Sequence, residues 1–279
     1  AGSGGAADAS AADAAQAATA EPVPTARRAF PALAPHLAAA LRAADPLAGQ
    51  HPTTLDAALQ EVLETVAARA VMGQDARLSA AIIVADHQTG EVLAHIGGAA
   101  WGNTARGGYV DLTQALRSPG STLKPFVYAL AFDDGLAHPE TLVDDRPMAF
   151  GTYAPQNFDG QFRGTLRLRE ALQMSLNLPV VALTEAVGPA RLIATLKAAG
   201  AAPKVPGGAV PGLAVALGGV GMSLQDLVGA YAGLARRNLE ENEEYLRKVL
   251  AVSPDGFWSV GMDGTILEVN NAYSAMSGY

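Results

Sequence analysis

Residues 118–126 read Ser-Pro-Gly-Ser-Thr-Leu-Lys-Pro-Phe, and the interpretation of the whole chain starts from them. Ser121 precedes Lys124 by three positions, so on a helix the two side chains share a face. A serine hydroxyl needs a base to act as a nucleophile. A lysine is such a base only if burial or a neighbouring positive charge lowers its pKa. The pattern therefore predicts a nucleophile and its base. The alternative is an ordinary helix start, with Ser121 as N-cap and Lys124 in solvent.

A second polar pair lies further along the chain. Ser175 and Asn177 belong to residues 170–179, a segment that indicates a helix ending near Pro179. The Ser175 hydroxyl can relay protons, and the Asn177 amide can hold a substrate carbonyl or the lysine. Taken alone, this pair is more typical of a polar helix terminus.

Together, the two motifs resemble those of the penicilloyl-serine transferases, whose signature is Ser-x-x-Lys, a Ser-x-Asn-like element and Lys-Thr-Gly. Further segments occur in the order seen in that family: Thr53–Gln60, Thr89–Ala94, Tyr109–Asp111, Tyr153–Phe158 and Leu217–Gly219. The chain from about residue 24 to residue 238 is similar to the transpeptidase domain of a bifunctional (class A) penicillin-binding protein.

The resemblance implies an α/β, beta-lactamase-like fold, in which helices flank an antiparallel sheet. It also implies D,D-transpeptidation of peptidoglycan through an acyl-enzyme on Ser121. Lys124 would be the base, Ser175 the proton relay and Asn177 the amide that orients lysine and substrate. The Ser121 backbone N–H would supply half of the oxyanion hole.

The same resemblance bears on partners and location. The expected partners are peptidoglycan stem peptides and β-lactams, with no cofactor and no metal. Family members act at the periplasmic face of the bacterial inner membrane. They carry a membrane anchor and a glycosyltransferase domain upstream, which we do not find in this sequence.

The third motif of the family is missing from the sequence. Lys204 is the nearest lysine with a following glycine, but Pro206 removes a strand donor, and the segment indicates a loop. In the family, the Lys-Thr-Gly strand supplies the second oxyanion donor. Residues 80–86 and 91–96 would then be two of five strands, and the strand over 91–96 is expected to have one unpaired edge, or a partner from the tail. The sequence therefore predicts an incomplete sheet.

A different composition begins after Asn238. Residues 239–279 contain seven acidic and two basic residues, and residues 239–252 indicate a charged linker helix. Residues 253–279, with a hairpin turn at Asp263-Gly264, resemble the start of a PAS sensor domain. Two alternatives to the enzyme therefore remain open: a PAS-type sensory module, and an inactive fusion fragment.

Composition limits the remaining possibilities. The 279 residues are 49% hydrophobic and carry a net charge of −8, which argues against a nucleic-acid partner. Without cysteine, disulfides and thiolate chemistry are excluded. We predict a flexible Ala/Gly-rich linker over 1–23, a connector over 24–52 and a truncated transpeptidase domain over 53–238.

Four local predictions complete the analysis. A short helix spans Pro35–Ala44, and a longer one, capped at Thr54 or Asp56, reaches Ala70. The apolar stripe of the longer helix comprises Leu55, Leu59, Val62, Leu63, Val66 and Ala70. Asp144-Asp145 indicates a solvated turn rather than a metal or acid pair. The five histidines, none at metal-ligand spacing, are expected in structural or surface positions; they are His36, His51, His87, His95 and His138.

Overall fold

The computed structural model describes residues 32–236 and two short strands, 258–260 and 266–269. The helices are α1 Pro35–Ala44, α2 Ala57–Ala70, α3 Lys124–Asp133, α4 Leu168–Gln173, α5 Asn177–Val187, α6 Pro189–Ala198 and α7, residues 224–236. The strands are β1 Ile82–Ala85, β2 Val92–Ile96, β3 Leu142–Asp145, β4 Gly164–Arg167, β5 Trp258–Val260 and β6 Ile266–Val269. Each strand pairs antiparallel with its neighbour in sequence, which gives three two-stranded sheets among the described residues.

The first half of the domain follows its sequence pattern. The predicted helix Pro35–Ala44 is confirmed as α1, with proline in its first turn. The Asp56 side chain accepts the Leu59 N–H at 2.9 Å and so caps α2, as one of the two predicted caps. The predicted hairpin is also confirmed, with Ile82 opposite Ile96 and Val84 opposite Ala94.

The predicted buried face of α2 is partly wrong. Val62 and Val66 are 60% and 47% exposed, whereas Gln60 is 1% exposed. The Gln60 amide donates to the His95 carbonyl at 3.0 Å and accepts the His95 N–H at 2.8 Å. A polar side chain is therefore buried because it satisfies the backbone of β2 as a neighbouring strand would.

The open edge of the hairpin lies on β1 rather than on the strand predicted over 91–96. The outer edge of β2 is satisfied by the segment leading into α2, since Thr54 Oγ1 donates to the Val92 carbonyl at 2.7 Å and the Asp56 N–H donates to the Leu93 carbonyl at 2.9 Å. Among the described residues, no strand pairs with the other edge of β1. A cavity of about 400 Å³ lies there, between β1, the end of α6 and α7.

The main apolar core lies among the helices. Fully buried side chains from α3, α5, α6 and the 3₁₀ turns Gly120–Leu123 and Leu213–Leu217 form one cluster, which includes Leu123, Val127, Val180, Leu192, Leu196 and Val215. Within the described residues, no single helix has the length and apolarity to cross a membrane. The helices α5 and α6 meet that criterion only as a pair, bent by 84°.

Two loop interpretations have different outcomes. Lys204 forms an isolated bridge with Gly221 before the 3₁₀ turn Pro206–Gly208, so the predicted loop is confirmed. The predicted solvated turn at Asp144-Asp145 is wrong: both residues lie in β3, and Asp145 is fully buried. Its carboxylate accepts hydrogen bonds from protein N–H groups, which replace water.

The predicted hairpin in the tail is confirmed at the level of the backbone. Trp258 pairs with Val269, and Val260 pairs with Ile266. The predicted linker helix 239–252, and the residues of 253–279 outside β5 and β6, lie outside the described residues.

Candidate active site

The turn that carries Ser121 is fixed by glycine contacts. Gly120–Leu123 form a 3₁₀ turn that runs directly into α3, and Ser121 is exposed at its surface. Ser118 Oγ donates to the Gly218 carbonyl at 2.7 Å. Gly218 has φ 91°, and a Cβ there would meet the Gly120 nitrogen at 2.3 Å. Only glycine allows this close approach, which holds the turn before Ser121.

The other side of the turn is held by α7. Tyr231 Oη donates to the Thr122 carbonyl at 2.7 Å, and its ring packs edge-on against Phe126 with centroids 4.9 Å apart. The turn is thus anchored by side chains on both flanks. Its serine is left facing solvent, where a substrate can reach it.

Lys124 is 1% exposed, which excludes the alternative of a helix start with its lysine in solvent. Its Nζ lies 3.1 Å from Ser175 Oγ and 2.7 Å from Asn177 Oδ1. It also donates to the carbonyls of Ser175, at 2.5 Å, and Leu176, at 3.2 Å. The structure therefore brings three of the four predicted site residues into direct contact.

Burial lowers the pKa of Lys124 from 10.5 to about 8. Removing an ammonium group from water disfavours its charged form. An amine with this pKa has lost its proton in about a tenth of the molecules at about pH 7 and in about half of them at about pH 8. Lys124 thus meets the condition that a lysine base requires.

The predicted contact between Ser121 and Lys124 is not made. Among the described residues, no hydrogen bond joins Ser121 Oγ to Lys124 Nζ, because the amine is directed towards residues 175–177. Ser121 also does not cap a helix, since it lies within the 3₁₀ turn. Hydrogen bonds of catalytic groups are often long without substrate and shorten in the complex.

The predicted helix over 170–179 is wrong, and its interruption shapes the site. The helix α4 ends in a Schellman arrangement, with the Leu176 N–H donating to the Ala171 carbonyl and the Ser175 N–H donating to the Leu172 carbonyl. Ser175 has φ 53°, a conformation that glycine usually supplies. The left-handed residue turns the chain so that the carbonyls of 175 and 176 face Lys124.

Asn177 begins the next helix, α5, and Pro179 lies in its first turn, where proline is tolerated. The Asn177 side chain donates to the Gln156 carbonyl at 2.6 Å, and its N–H donates to Asn157 Oδ1 at 2.8 Å. Sequence reasoning missed Asn157 and Asp145 as neighbours of the site. The family-like segment Tyr153–Phe158 was the one signal that could have pointed to Asn157.

Within residues 32–236, no group of three or more His, Asp or Glu side chains is arranged to hold a metal ion. His36 packs edge-on against Trp101, and His95 contacts Thr113 Oγ1 at 3.0 Å. Both histidines are buried, as expected of structural positions.

An exposed serine, close in sequence to a buried lysine whose pKa is lowered, is the arrangement of serine acyltransferases that use an amine as base. Residues 80–209 match the family profile described as the penicillin binding protein transpeptidase domain. The chain carries a transpeptidase domain of the penicillin-binding-protein family.

Individual relatives agree with that assignment. Penicillin-binding protein 1C of Escherichia coli is 43% identical over 216 residues, which are 77% of this chain and 28% of that protein. Penicillin-binding protein 1B of Vibrio cholerae is 37% identical over 129 residues, 43% of this chain and 16% of that protein. The chain thus spans well under a third of the length of these relatives.

The fold has a counterpart among solved structures. The structure of the PonA1 protein from Mycobacterium tuberculosis in complex with penicillin V aligns with a TM-score of 0.57 and 26% sequence identity. The alignment covers 78% of this chain and 56% of that one. The mixed arrangement of helices and strands described above is therefore that of a penicillin-binding transpeptidase.

Proposed function

We propose that this domain is a serine D,D-transpeptidase that cross-links peptidoglycan and is acylated by penicillins. One observation carries the proposal: Lys124 Nζ is buried beside Ser175 Oγ and Asn177 Oδ1, three positions after an exposed serine. The similarity of residues 80–209 to penicillin-binding transpeptidases supports the choice of substrate.

In the proposed acylation step, Ser121 Oγ attacks the carbonyl carbon of the penultimate D-alanine of a stem peptide. The hydroxyl proton passes to the neutral Lys124 amine, and the carbonyl oxygen becomes an oxyanion near the Ser121 N–H. When the peptide C–N bond breaks, the Ser175 hydroxyl passes a proton to the departing D-alanine nitrogen and regains one from the Lys124 ammonium, which lies 3.1 Å away. The Asn177 side chain orients both the Lys124 amine and the substrate carbonyl.

In the second step, an amine of a neighbouring stem peptide attacks the ester on Ser121. The new amide bond forms as the ester C–O bond breaks, and the proton released by the amine returns to Ser121 Oγ. A penicillin offers its ring amide in place of the D-alanyl carbonyl. Its nitrogen stays tethered after ring opening and hinders deacylation, so the ester on Ser121 persists.

The test is covalent labelling of the full chain by a fluorescent penicillin, with the adduct located by mass spectrometry. We expect the adduct on Ser121 and no labelling of the Ser121→Ala variant. Thr122→Ala is the matched control, because Thr122 is the neighbouring exposed hydroxyl and its Oγ1 donates locally to the Pro119 carbonyl at 2.6 Å. Labelling that survives Ser121→Ala, or is lost in Thr122→Ala, would contradict the proposal.

The missing Lys-Thr-Gly segment predicts slow acylation. Removing one oxyanion donor typically costs about 10²–10³ in rate. We therefore expect this chain to react with penicillin at least about 10²-fold more slowly than a relative that contains the motif. Stopped-flow or gel-based rates measured side by side check this. Equal rates would mean that another segment supplies the donor.

We further propose that residues 253–279 are the first part of a PAS-like domain, joined to a transpeptidase domain that stops near residue 238. The change in composition after Asn238 and the hairpin of β5 and β6 support this proposal. We expect the coding sequence beyond codon 279 to continue with further PAS strands. A Lys-Thr-Gly segment encoded there instead would contradict the proposed junction.

The proposed location is the periplasmic face of the inner membrane, where peptidoglycan is assembled. Family resemblance supports it, as does the expectation of an upstream anchor and glycosyltransferase domain in longer relatives. Fractionation of cells that express the native gene, with immunodetection of this domain, tests the location. Recovery in the cytoplasmic fraction alone would contradict it.

A further inference from the structure

A chain of hydrogen bonds leads from the buried Asp145 of β3 through Asn157 and Asn177 to Lys124. We propose that Asp145 and Asn157 are positioning residues, which fix the orientation of Asn177 and, through it, of the Lys124 amine. The inference rests on the proposed function, because it assigns these residues to the acylation step of the same site.

The first link is the Asp145 carboxylate. It is fully buried, and Asn157 Nδ2 lies 2.9 Å from each of its oxygens. The Arg163 N–H donates to Oδ2 at 2.8 Å, and no basic side chain of the described residues forms an ion pair with Asp145. Burying a carboxylate costs free energy unless hydrogen-bond donors surround it. The groups that face Asp145 are therefore held in the orientation in which they donate to it.

The second link is the orientation of the Asn157 side chain, which is 6% exposed. Both Asp145 oxygens accept hydrogen bonds, so the Asn157 NH₂ group faces Asp145. Its other hydrogen is donated to the Gln161 carbonyl at 2.8 Å. The carbonyl oxygen Oδ1 must then point the opposite way, where it accepts the Asn177 N–H at 2.8 Å.

The third link is the start of α5. Leu176 at the N-cap position supplies no side-chain bond to the first N–H groups of this helix. Asn157 Oδ1 therefore acts as a cap from a distant part of the chain and holds Asn177 in place. Because Asn177 Nδ2 donates to the Gln156 carbonyl, its Oδ1 is left facing Lys124 Nζ at 2.7 Å. The orientation imposed by Asp145 thus reaches the amine.

The test is the Asp145→Asn variant of the full chain. Its reaction with a penicillin is measured so that the rate constant of acylation is obtained separately from the constant for the preceding non-covalent binding of the penicillin. The substitution keeps the shape of the side chain but places an NH₂ group against Asn157. This favours the flipped orientation of the Asn157 amide, in which the Asn157 NH₂ group faces the Asn177 N–H and two donors oppose each other. We expect the acylation rate constant to fall at least about tenfold, with less than about threefold change in binding, since small misplacements of catalytic groups cost rate.

Asp144→Asn is the matched control, because Asp144 precedes Asp145 on the same strand but is exposed and accepts the Thr165 hydroxyl at 2.6 Å. We expect it to leave both constants unchanged. The double variant Asp145→Asn with Asn157→Asp moves the carboxylate to position 157, where it accepts the Asn177 N–H. It should recover part of the lost rate, which a general loss of stability would not explain.

A background without the Asn177 side chain separates positioning from stability. In the Asn177→Ala variant, Asp145→Asn should have little further effect on the acylation rate constant, because the side chain that carries the effect from residue 177 to Lys124 Nζ is already absent. An undiminished effect in that background would overturn the inference. So would a loss confined to the binding constant.

Hydrogen exchange gives a readout that does not depend on acylation. The Asn177 amide should exchange faster in Asp145→Asn than in the wild type, and unchanged in Asp144→Asn. If the wild type fails to react with penicillin, the proposed function fails, and exchange still decides whether the link exists. Unchanged exchange of the Asn177 amide in Asp145→Asn would overturn the inference on its own.

Discussion

Around α3, α5 and α6 the chain buries a large apolar cluster, with Leu123, Leu192 and Leu196 fully enclosed. Of the apolar side chains of the β1–β2 hairpin, only Ala94 and Ile96 are buried, in a small cluster with Ala67 of α2. The hairpin is stabilised instead by hydrogen bonds between the side chains of Thr54 and Gln60 and the backbone of β2. All four predicted site residues lie in the helical part of the domain, outside the hairpin.

The difference between the two regions indicates that the geometry of the site does not depend on the β1–β2 hairpin. Lys124, Ser175 and Asn177 are held by helix ends and by the bonds of Asn157, none of which involves β1 or β2. The hairpin depends instead on Gln60 and on the segment before α2. The geometry around the lysine is therefore expected to tolerate damage to the hairpin, whereas damage to the helical core affects the whole domain.

The largest expected effect is a loss of stability in the helical core. Leu192→Ala removes a fully buried side chain of α6, and such truncations cost about 3–5 kcal/mol. We expect a loss of this size in the free energy of unfolding, together with loss of penicillin labelling at 37 °C. Val62→Ala, at a 60% exposed position, is the control and should change stability by less than about 0.5 kcal/mol.

A smaller and more local effect is expected in the hairpin. Gln60→Ala leaves the His95 N–H and carbonyl without their partner, at a cost of about 2 kcal/mol. The amides of β2 should then exchange faster, while those of α5 stay protected and the penicillin labelling rate is unchanged. Glu61→Ala, at the neighbouring exposed position, is the control. If the Gln60→Ala variant showed both faster amide exchange in β2 and a lower labelling rate, the hairpin and the site would be coupled.

A gain in stability is expected at the site itself. Ser175 is a non-glycine residue in the left-handed conformation, which costs an ordinary L-residue about 1–2 kcal/mol. Ser175→Gly should therefore stabilise the chain by about 1 kcal/mol while it slows acylation, because the hydroxyl beside Lys124 is lost. Ser175→Ala should slow acylation equally without the gain. Thermal melts and labelling rates of the two variants check this.

Sequence patterns predicted the hairpin, α1 and α2, because periodicity and capping signals are local. The pairing of Lys124 with Ser175 and Asn177 was anticipated by resemblance rather than by spacing. Spacing alone favoured a contact between Lys124 and Ser121, which the direction of the amine excludes in this structure.

Other features could not be read from the chain, for physical reasons. A count of apolar residues places Val62 on the buried face of α2, since it cannot show that Gln60 is buried to satisfy a strand. Pro179 is compatible with both the end of one helix and the first turn of the next. Asp145 looks like a turn residue until β4 and Asn157 bring N–H groups to its carboxylate.

The central claim, that Lys124 is a base poised by burial, is tested most directly by the pH dependence of acylation. Burial lowers the pKa of Lys124 to about 8, and only the neutral amine can accept the Ser121 proton. The unfolded chain keeps that proton up to about pH 10.4, so this group adds stability as pH rises above 8 and does not confound the measurement.

The account predicts an acylation rate constant that rises about tenfold per unit from pH 6 and levels off above about pH 8. Circular dichroism over the same range confirms that the fold is unchanged. A rate constant that is independent of pH between about 6 and 9, or that falls as pH rises, would show that the neutral Lys124 amine is not the base.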